Sequence, residues 1–339
     1  MTPTRWLLRK FRHIDKNRMK KHVDRIAAES GRSRLYILTD MAVNLLLYGI
    51  SYTDYFRGDY IHLNAKEKST FCTAKKFYKL MHYLNDQRYI GVLCDKLQFN
   101  AFFRPYLGRD FMDLRSASKE DFAEFLNKKK TVFAKILNGE DGQGINAIDT
   151  EDVSDPNALY DELLKKGQYL VEDAILQCRE LNDYNPHAVH TLRVVTLYKD
   201  GCAHVIANNM RIMLNDARVI GSNNLYFMFK EDGTIDGNVI DGYGNPYTAH
   251  PLTGKEFAGL RIADFPQACQ MCIEAAEKLP QVRYIGWDVA FGVNGPVLIE
   301  GNDFPAYGSY QFYKYNGSRI GHLVQIANVL GDEMKQIGL

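Results

Sequence analysis

The residues best suited to do chemistry lie near the C-terminal end, in Gly286-Trp287-Asp288-Val289-Ala290-Phe291, then Val293-Asn294-Gly295, then Leu298-Ile299-Glu300-Gly301-Asn302. Two apolar strands joined through Asn-Gly predict a β-hairpin, and acidic residues inside apolar strands are expensive unless something compensates them. Two carboxylates plus an amide oxygen form a hard oxygen site suited to Mg²⁺, which keeps several waters and takes its other ligands from phosphates. The alternative is a polar edge hairpin with solvated acids, but Trp287, Val289, Leu298 and Ile299 imply burial. Asp288 shares a face with Glu300 and Asn302 only if the register pairs even with even residues. This predicts a three-residue loop, Val293-Asn294-Gly295, with Gly295 as a bulge, setting Asp288 opposite Glu300.

A second group is Asn138-Gly139-Glu140-Asp141-Gly142-Gln143-Gly144, entered by a strand carrying Lys135. Glycines let backbone N–H groups approach a phosphate, and a nearby lysine supplies compact positive charge, as a phosphate lid requires. Read alone, the same string is an ordinary hairpin turn. Gly142-Gln143-Gly144-Ile145-Asn146-Ala147 matches a dinucleotide fingerprint, yet an apolar strand follows instead of a helix, and no Gly-x-x-x-x-Gly-Lys-Ser/Thr motif occurs. Cys269-x-x-Cys272 falls on the apolar face of a predicted helix and reads as core. His187-x-x-His190 lacks a third ligand nearby in sequence, and His250 reads equally as a substrate contact or a structural hydrogen bond.

Around these groups the predicted elements change character along the chain. Residues up to Gly108 read as helical; in Thr73 to Asn85, Phe77, Leu80, Met81 and Leu84 recur at helical spacing. From Arg109 to Cys178 the pattern is mixed: a helix capped by Ser118, apolar runs at Thr131 to Leu137 and Ile145 to Ile148, and a helix opening at Asp155-Pro156 and stopping at Gly167. Strands then dominate, at Tyr169 to Ile175, Thr191 to Lys199, Ala203 to Ile212, Arg283 to Phe291 and Val297 to Glu300, with a helix from Pro266 to Leu279. The fold class is α+β, with a helical N-terminal lobe (1–108), a small lid subdomain (109–178) and a larger antiparallel-sheet subdomain (179–339).

At 339 residues, 46% hydrophobic and 24% charged, the chain can bury a full core. No apolar run approaches the ~20 residues of a membrane span. No secretory signal is evident, and six dispersed cysteines fit reduced thiols, so a cytoplasmic setting is expected. The net charge of +1 hides a basic end: Met1 to Arg25 holds nine Lys/Arg against Asp15 and Asp24, or +7. With Trp6, Leu7, Phe11 and Ile14 at roughly helical spacing, that end is either a solvated helix or one resting on an anionic membrane at the inner face.

The order Asp95-Lys96 with Phe99, Lys135 with its glycine loop, Leu170-Val171-Glu172, Thr191-Leu192-Arg193-Val194, then Asp288, Glu300 and Asn302 resembles the ATP-grasp superfamily. Tyr48-Gly49, Leu84-Asn85, Gly108-Arg109, His250-Pro251 with Gly254, and Gly286-Trp287-Asp288 resemble its sugar-transfer-associated branch, found among surface-polysaccharide proteins. The resemblance implies an ATP-grasp fold with ATP between lid and larger sheet. It implies that Lys96 and Lys135 contact ATP phosphates, Gly142 and Gly144 belong to the lid, Glu172 sits at the adenine hinge, Glu180 meets the ribose, and Asp288, Glu300 and Asn302 hold Mg²⁺. Arg193 and Arg211, on adjacent predicted strands, would grip the γ-phosphate or an acyl phosphate, since a guanidinium matches such oxyanions bidentately. Relatives show an Asn and a glycine pair after Arg211, where this chain has Ser222-Asn223-Asn224-Leu225-Tyr226-Phe227, which suggests a reshaped acceptor pocket. The implied activity is a carboxylate–amine ligation driven by ATP, on small or sugar-linked acids and amines and not on nucleic acid. A kinase acting on a hydroxyl, or an accessory nucleotide binder without turnover, is the alternative.

Overall fold

The computed structural model describes residues 15–139, 143–218 and 223–339. The chain forms two compact units, one of Met1–Lys79, Tyr307–Val324 and Leu339, the other of Leu80–Ala306 and Gln325–Gly338.

In the first unit, helices Lys16–Ser30, Arg34–Tyr48, Tyr52–Arg57 and Ala65–Ser69 each begin on a side chain that accepts a free backbone N–H: Asp15, Ser33, Ser51 and Asn64. Gly31 and Gly49 end the first two with left-handed backbone (φ 69° and 73°), where a side chain would be strained. Ile37, Met41, Tyr55, Phe56, Tyr60 and Phe71 are buried within the unit.

The second unit holds two antiparallel sheets. The smaller runs in the order β1-β4-β2-β3, with β1 Phe111–Asp113, β2 Thr131–Lys135, β3 Ile145–Asp149 and β4 Leu170–Asp173. Side chains alternate along β2, so Val132 and Ala134 face a core with Val171, Phe122, Leu126 and Leu163. Helices Lys119–Asn127 and Pro156–Lys165 supply that core; the first starts on a Ser118–Asp121 capping box, the second on Asp155 with Pro156 in its first turn. The opposite face of the sheet is left to Phe133, Lys135 and Glu172, since Phe133 lies opposite Glu172 in the register.

The larger sheet runs in the order β11-β10-β5-β6-β7-β8-β9. Its strands are β5 Thr191–Lys199, β6 Cys202–Met213, β7 Asn224–Phe229, β8 Ile235–Asp241, β9 Pro246–Tyr247, β10 Tyr284–Gly292 and β11 Gly295–Asn302. One face, with Leu192, Val194, Met210, Ile212, Phe227, Trp287 and Leu298, packs on helix Phe265–Glu277 through Ala268, Cys272, Ala275 and Ala276. Cys269 and Cys272 therefore belong to the core, where burial pushes the Cys269 thiol up to about 12. The other face is available for chemistry.

Candidate active site

Register assembles a row of polar groups on that second face. Glu300 lies opposite Asp288, Asp288 opposite Arg193, and Arg193 opposite Asn209, so β11, β10, β5 and β6 each contribute one side chain to a single line. Arg211 stands two residues along β6, opposite Thr191 and next to Tyr226 of β7. Arg193 donates from Nε to Asp288 Oδ1 and from Nη2 to Oδ2 at 2.8 Å, a bidentate pair with both side chains buried. Arg211 Nη2 lies 3.7 Å from Asp288 Oδ1. The anion meeting both guanidiniums is thus a carboxylate of the protein itself. Burial alone would raise the Asp288 carboxyl; Arg193 and then Arg211 outweigh it and hold the group below its ordinary value. Glu300 moves the other way, raised first by burial and then by the facing Asp288, with Lys96 opposing.

The hairpin reaches this arrangement by a different device from the one expected. The loop has two residues, Val293-Asn294, with Gly292 paired to Gly295; Val289 pairs with Leu298, and the register then shifts so that Asp288 meets Glu300. The extra residue is Ile299, a β-bulge in β11, while Gly295 (φ 111°) begins the strand. The predicted three-residue loop is therefore wrong and the predicted facing of Asp288 and Glu300 is right. A two-residue turn leaves the strands in odd parity, and the bulge restores it. Gly286 is required here, because a Cβ would stand 2.5 Å from Pro305 Cβ and 3.1 Å from Arg193 Cδ. Between Gly286 and Asp288, Trp287 turns to the core and donates Nε1–H to Thr196 Oγ1 at 2.8 Å.

Asp288, Glu300 and Asn302 suit a hard divalent cation by donor type and crowding. Asn302 Nδ2 lies 3.4 Å from Glu300 Oε1, and Glu300 is raised first by burial and then by the facing Asp288. Arg193 occupies one lone pair on each Asp288 oxygen, and a hydrogen bond links Asp288 to Glu300. Magnesium bound there would supply Lewis acidity toward phosphoryl oxygens.

The smaller sheet has its own ionic cluster. Glu172 accepts from Asn100 Nδ2 at 2.6 Å, from Arg109 Nη2 at 2.9 Å and from Lys135 Nζ. Burial opposes the carboxylate, but Arg109 and Lys135 prevail and hold it at about 2. Arg109 also donates to the Leu298 carbonyl of β11 at 2.7 Å, tying the cluster to the larger sheet. Lys96 opens helix Lys96–Phe102 behind its Asp95 cap, and Nζ donates to Gly139 O at 2.7 Å, so one ammonium lies near both the glycine loop and Glu300.

Residues 79–325 match the family model for sugar-transfer associated ATP-grasp proteins. The chain belongs to that family. Its α+β architecture is the ATP-grasp fold. Among solved structures it is similar to the ATP-grasp ligase PsnB complexed with minimal precursor (14% identity, TM-score 0.42, covering 72% of this chain and 62% of that one). Others are the D-cycloserine synthetase DcsG (10%, 0.43, 75% and 80%) and the D-alanine-D-alanine ligase from Coxiella burnetii (11%, 0.44, 74% and 60%). The chain thus spans 62% of the length of PsnB in that structure. No curated protein matches in sequence.

Several family motifs of this ATP-grasp chain acquire physical reasons. Asn85 donates to the Tyr284 and Asp303 carbonyls at 2.9 and 2.7 Å and accepts from Tyr284 N, fastening both ends of the hairpin. Gly108 has φ 58° and passes so near β11 that a Cβ would sit 2.4 Å from Val297 Cγ1. Gly144 has φ 68° and would drive a Cβ within 2.6 Å of Ile136; Gly142 lies outside the described residues. His250 is structural, donating Nε2–H to the Met213 carbonyl at 2.7 Å. Glu180 is exposed in the first turn of helix Arg179–Asn182, within the segment that links β4 to β5. Ser222 and the basic stretch up to Ile14 also lie outside the described residues. Of the bulky residues after Arg211, Leu225 and Phe227 enter the core, leaving Tyr226 opposite Arg211 on the site face.

Three contributors escaped sequence reasoning: Arg109, Asn100 and Asn209. Arg109 had the one available signal, the Gly108-Arg109 pair.

Proposed function

We propose that the chain is an ATP-dependent carboxylate–amine ligase that forms a C–N bond through an acyl phosphate, on an amino acid or amine and an acid of surface-polysaccharide or sugar metabolism. The observation that carries this reading is the single row Glu300–Asp288–Arg193–Asn209, with Arg211 beside it. Lys96 and Lys135 would bind ATP phosphates, and Asp288, Glu300 and Asn302 would hold Mg²⁺. Arg211, partly exposed beside Asp288, is the guanidinium best able to take an incoming oxyanion. Arg193 would act mainly by orienting Asp288, its own donors being engaged there. The Ala174–Leu176 segment and Glu180 would border the nucleotide base and ribose. A carboxylate is a poor acyl donor at neutral pH, and phosphorylation makes it one an amine can attack; positioning and electrostatics suffice for that transfer. Peripheral contact between the basic N-terminus and anionic lipid on the cytoplasmic side belongs to the same proposal.

The test is incubation with ATP, Mg²⁺ and pooled uronic and amino acids, with and without hydroxylamine, following ADP and hydroxamate together. Hydroxamate formed in step with ADP is expected. ADP formed with a stable phosphate monoester and no hydroxamate would replace the ligase with a kinase.

A further inference from the structure

Helix Arg34–Tyr48 turns only Ile37, Met41 and Asn44 fully inward. Its outer surface carries Leu35 and Leu46, each 75% exposed, Leu47 at 70%, and Leu38, Val43 and Tyr36. At 100° per residue these span an arc of roughly 200°, and the sole polar side chain within it, Thr39, donates its hydroxyl to the Leu35 carbonyl at 2.9 Å. Such a face offers a partner apolar area and almost no hydrogen bonds, whereas protein interfaces carry about one per 100–200 Å².

Charge gathers around the same helix. Lys16 to Tyr48 holds seven Lys/Arg and three acids, a balance of +4. All three acids are occupied: Asp24 by Arg34 at 2.7 Å, Glu29 by Arg25 and Lys314 at 2.9 Å, and Asp40 by the Tyr55 hydroxyl at 2.5 Å. Lys16, Lys20, Arg32 and Arg34 are exposed. A second copy docked on the leucines would bring these cationic flanks together, and like charge opposes that pairing. Anionic headgroups above an acyl layer satisfy both features at once.

We propose that helix Arg34–Tyr48 lies in the plane of an anionic membrane surface, inserting Leu35, Leu46 and Leu47 while the adjoining basic residues meet the headgroups. This rests on the lipid contact proposed above for the basic N-terminus and assigns its apolar half to a separate element. Among the described residues no helix is long and apolar enough to span a membrane, so the contact is peripheral.

The test is flotation of the full chain with phosphatidylcholine vesicles, with and without phosphatidylglycerol. The wild type should float with the anionic vesicles, and combined Leu35→Gln, Leu46→Gln and Leu47→Gln should weaken partitioning by about tenfold per leucine at unchanged melting temperature. Lys16→Gln with Lys20→Gln should cost about fivefold per residue and be mimicked by salt. Leu46→Trp keeps the face apolar and should give a blue-shifted emission on adding anionic vesicles. Undiminished flotation of the leucine variant, with loss in the lysine variant, would overturn the helix assignment and leave the basic contact standing. No flotation of the wild type would overturn both. A leucine-dependent dimer in light scattering, or flotation appearing only after residues 1–14 are removed, would show the face covered by a second copy or by the chain's own end, and would also overturn it.

Discussion

The two buried ionic clusters of the second unit differ in how completely they are balanced. Around Glu172 one carboxylate meets two cations and an amide, and the group stays ionised to about pH 2. Around Asp288 two carboxylates face each other; Arg193 and Arg211 serve Asp288, while Glu300 is raised. The first cluster holds one cation more than it has carboxylates and joins two sheets through Arg109. In the second both guanidiniums serve Asp288, and Glu300 stands against it as a second carboxylate. A carboxylate held by its own cations reads as a fastener, and a facing pair of carboxylates reads as a place for a cationic ligand.

That contrast is open to attack in descending order of effect. Asp288→Asn or Glu300→Gln should lower kcat on the order of a thousandfold in a coupled ADP assay while circular dichroism stays native, since several kcal/mol of electrostatic catalysis is at stake. Wild-type turnover in either variant would abolish the distinction. Glu172→Leu should instead strike stability, by about 3 kcal/mol in urea denaturation, because Arg109 is left buried beside an apolar group.

The same cluster sets a pH dependence with a definite sign. Glu172 is depressed from 4.5 to about 2, so its contribution is full above pH 4.5 and disappears as pH falls from there through 2. It amounts to about 3 kcal/mol, and Glu172→Gln should flatten the acid limb of the stability curve over that window. Lys135→Ala should weaken ATP in calorimetry by roughly 1.5 to 3 kcal/mol; with Arg109 still on Glu172, its effect on melting should be smaller than its effect on binding. The smallest effect belongs to Gly144→Ala, about 1 kcal/mol of stability from strain at positive φ and crowding against Ile136, read from the thermal midpoint.

Much of this was legible because the signals are local. The Ser118 and Asp155-Pro156 helix starts, the apolar runs of β2, β5, β6 and β10, and the helix carrying Cys269 and Cys272 follow from caps and periodicity within a few residues. Facing of Asp288 and Glu300 is what a shared metal site demands of the strand register. What stayed hidden depends on distant partners or on one irregular residue. Arg109 and Asn100 reach Glu172 across 63 and 72 residues of sequence, and beyond the Gly108-Arg109 pair nothing in their neighbours marks them. Asn209 enters the row only through the β5–β6 register. Ile299 looks like any apolar strand residue, so the bulge was assigned to the turn instead. Arg193 reads as a free grip for phosphate in the sequence because its partner, Asp288, lies 95 residues away.

The bulge at Ile299 has a consequence for how this hairpin can vary through descent. Asp288, Glu300 and Asn302 lie on the strand-end side of it, and the Val293-Asn294 tip lies on the other. The one surplus residue is looped out between the pairs Val289–Leu298 and Asp288–Glu300, so the ladder on either side is regular. Losing Ile299 would place Glu300 directly after Leu298, still opposite Asp288, and leave a regular ladder. The tip beyond the Gly292–Gly295 pair and the bulge are therefore expected to change length independently, with the Val289–Leu298 and Asp288–Glu300 pairs unchanged between them.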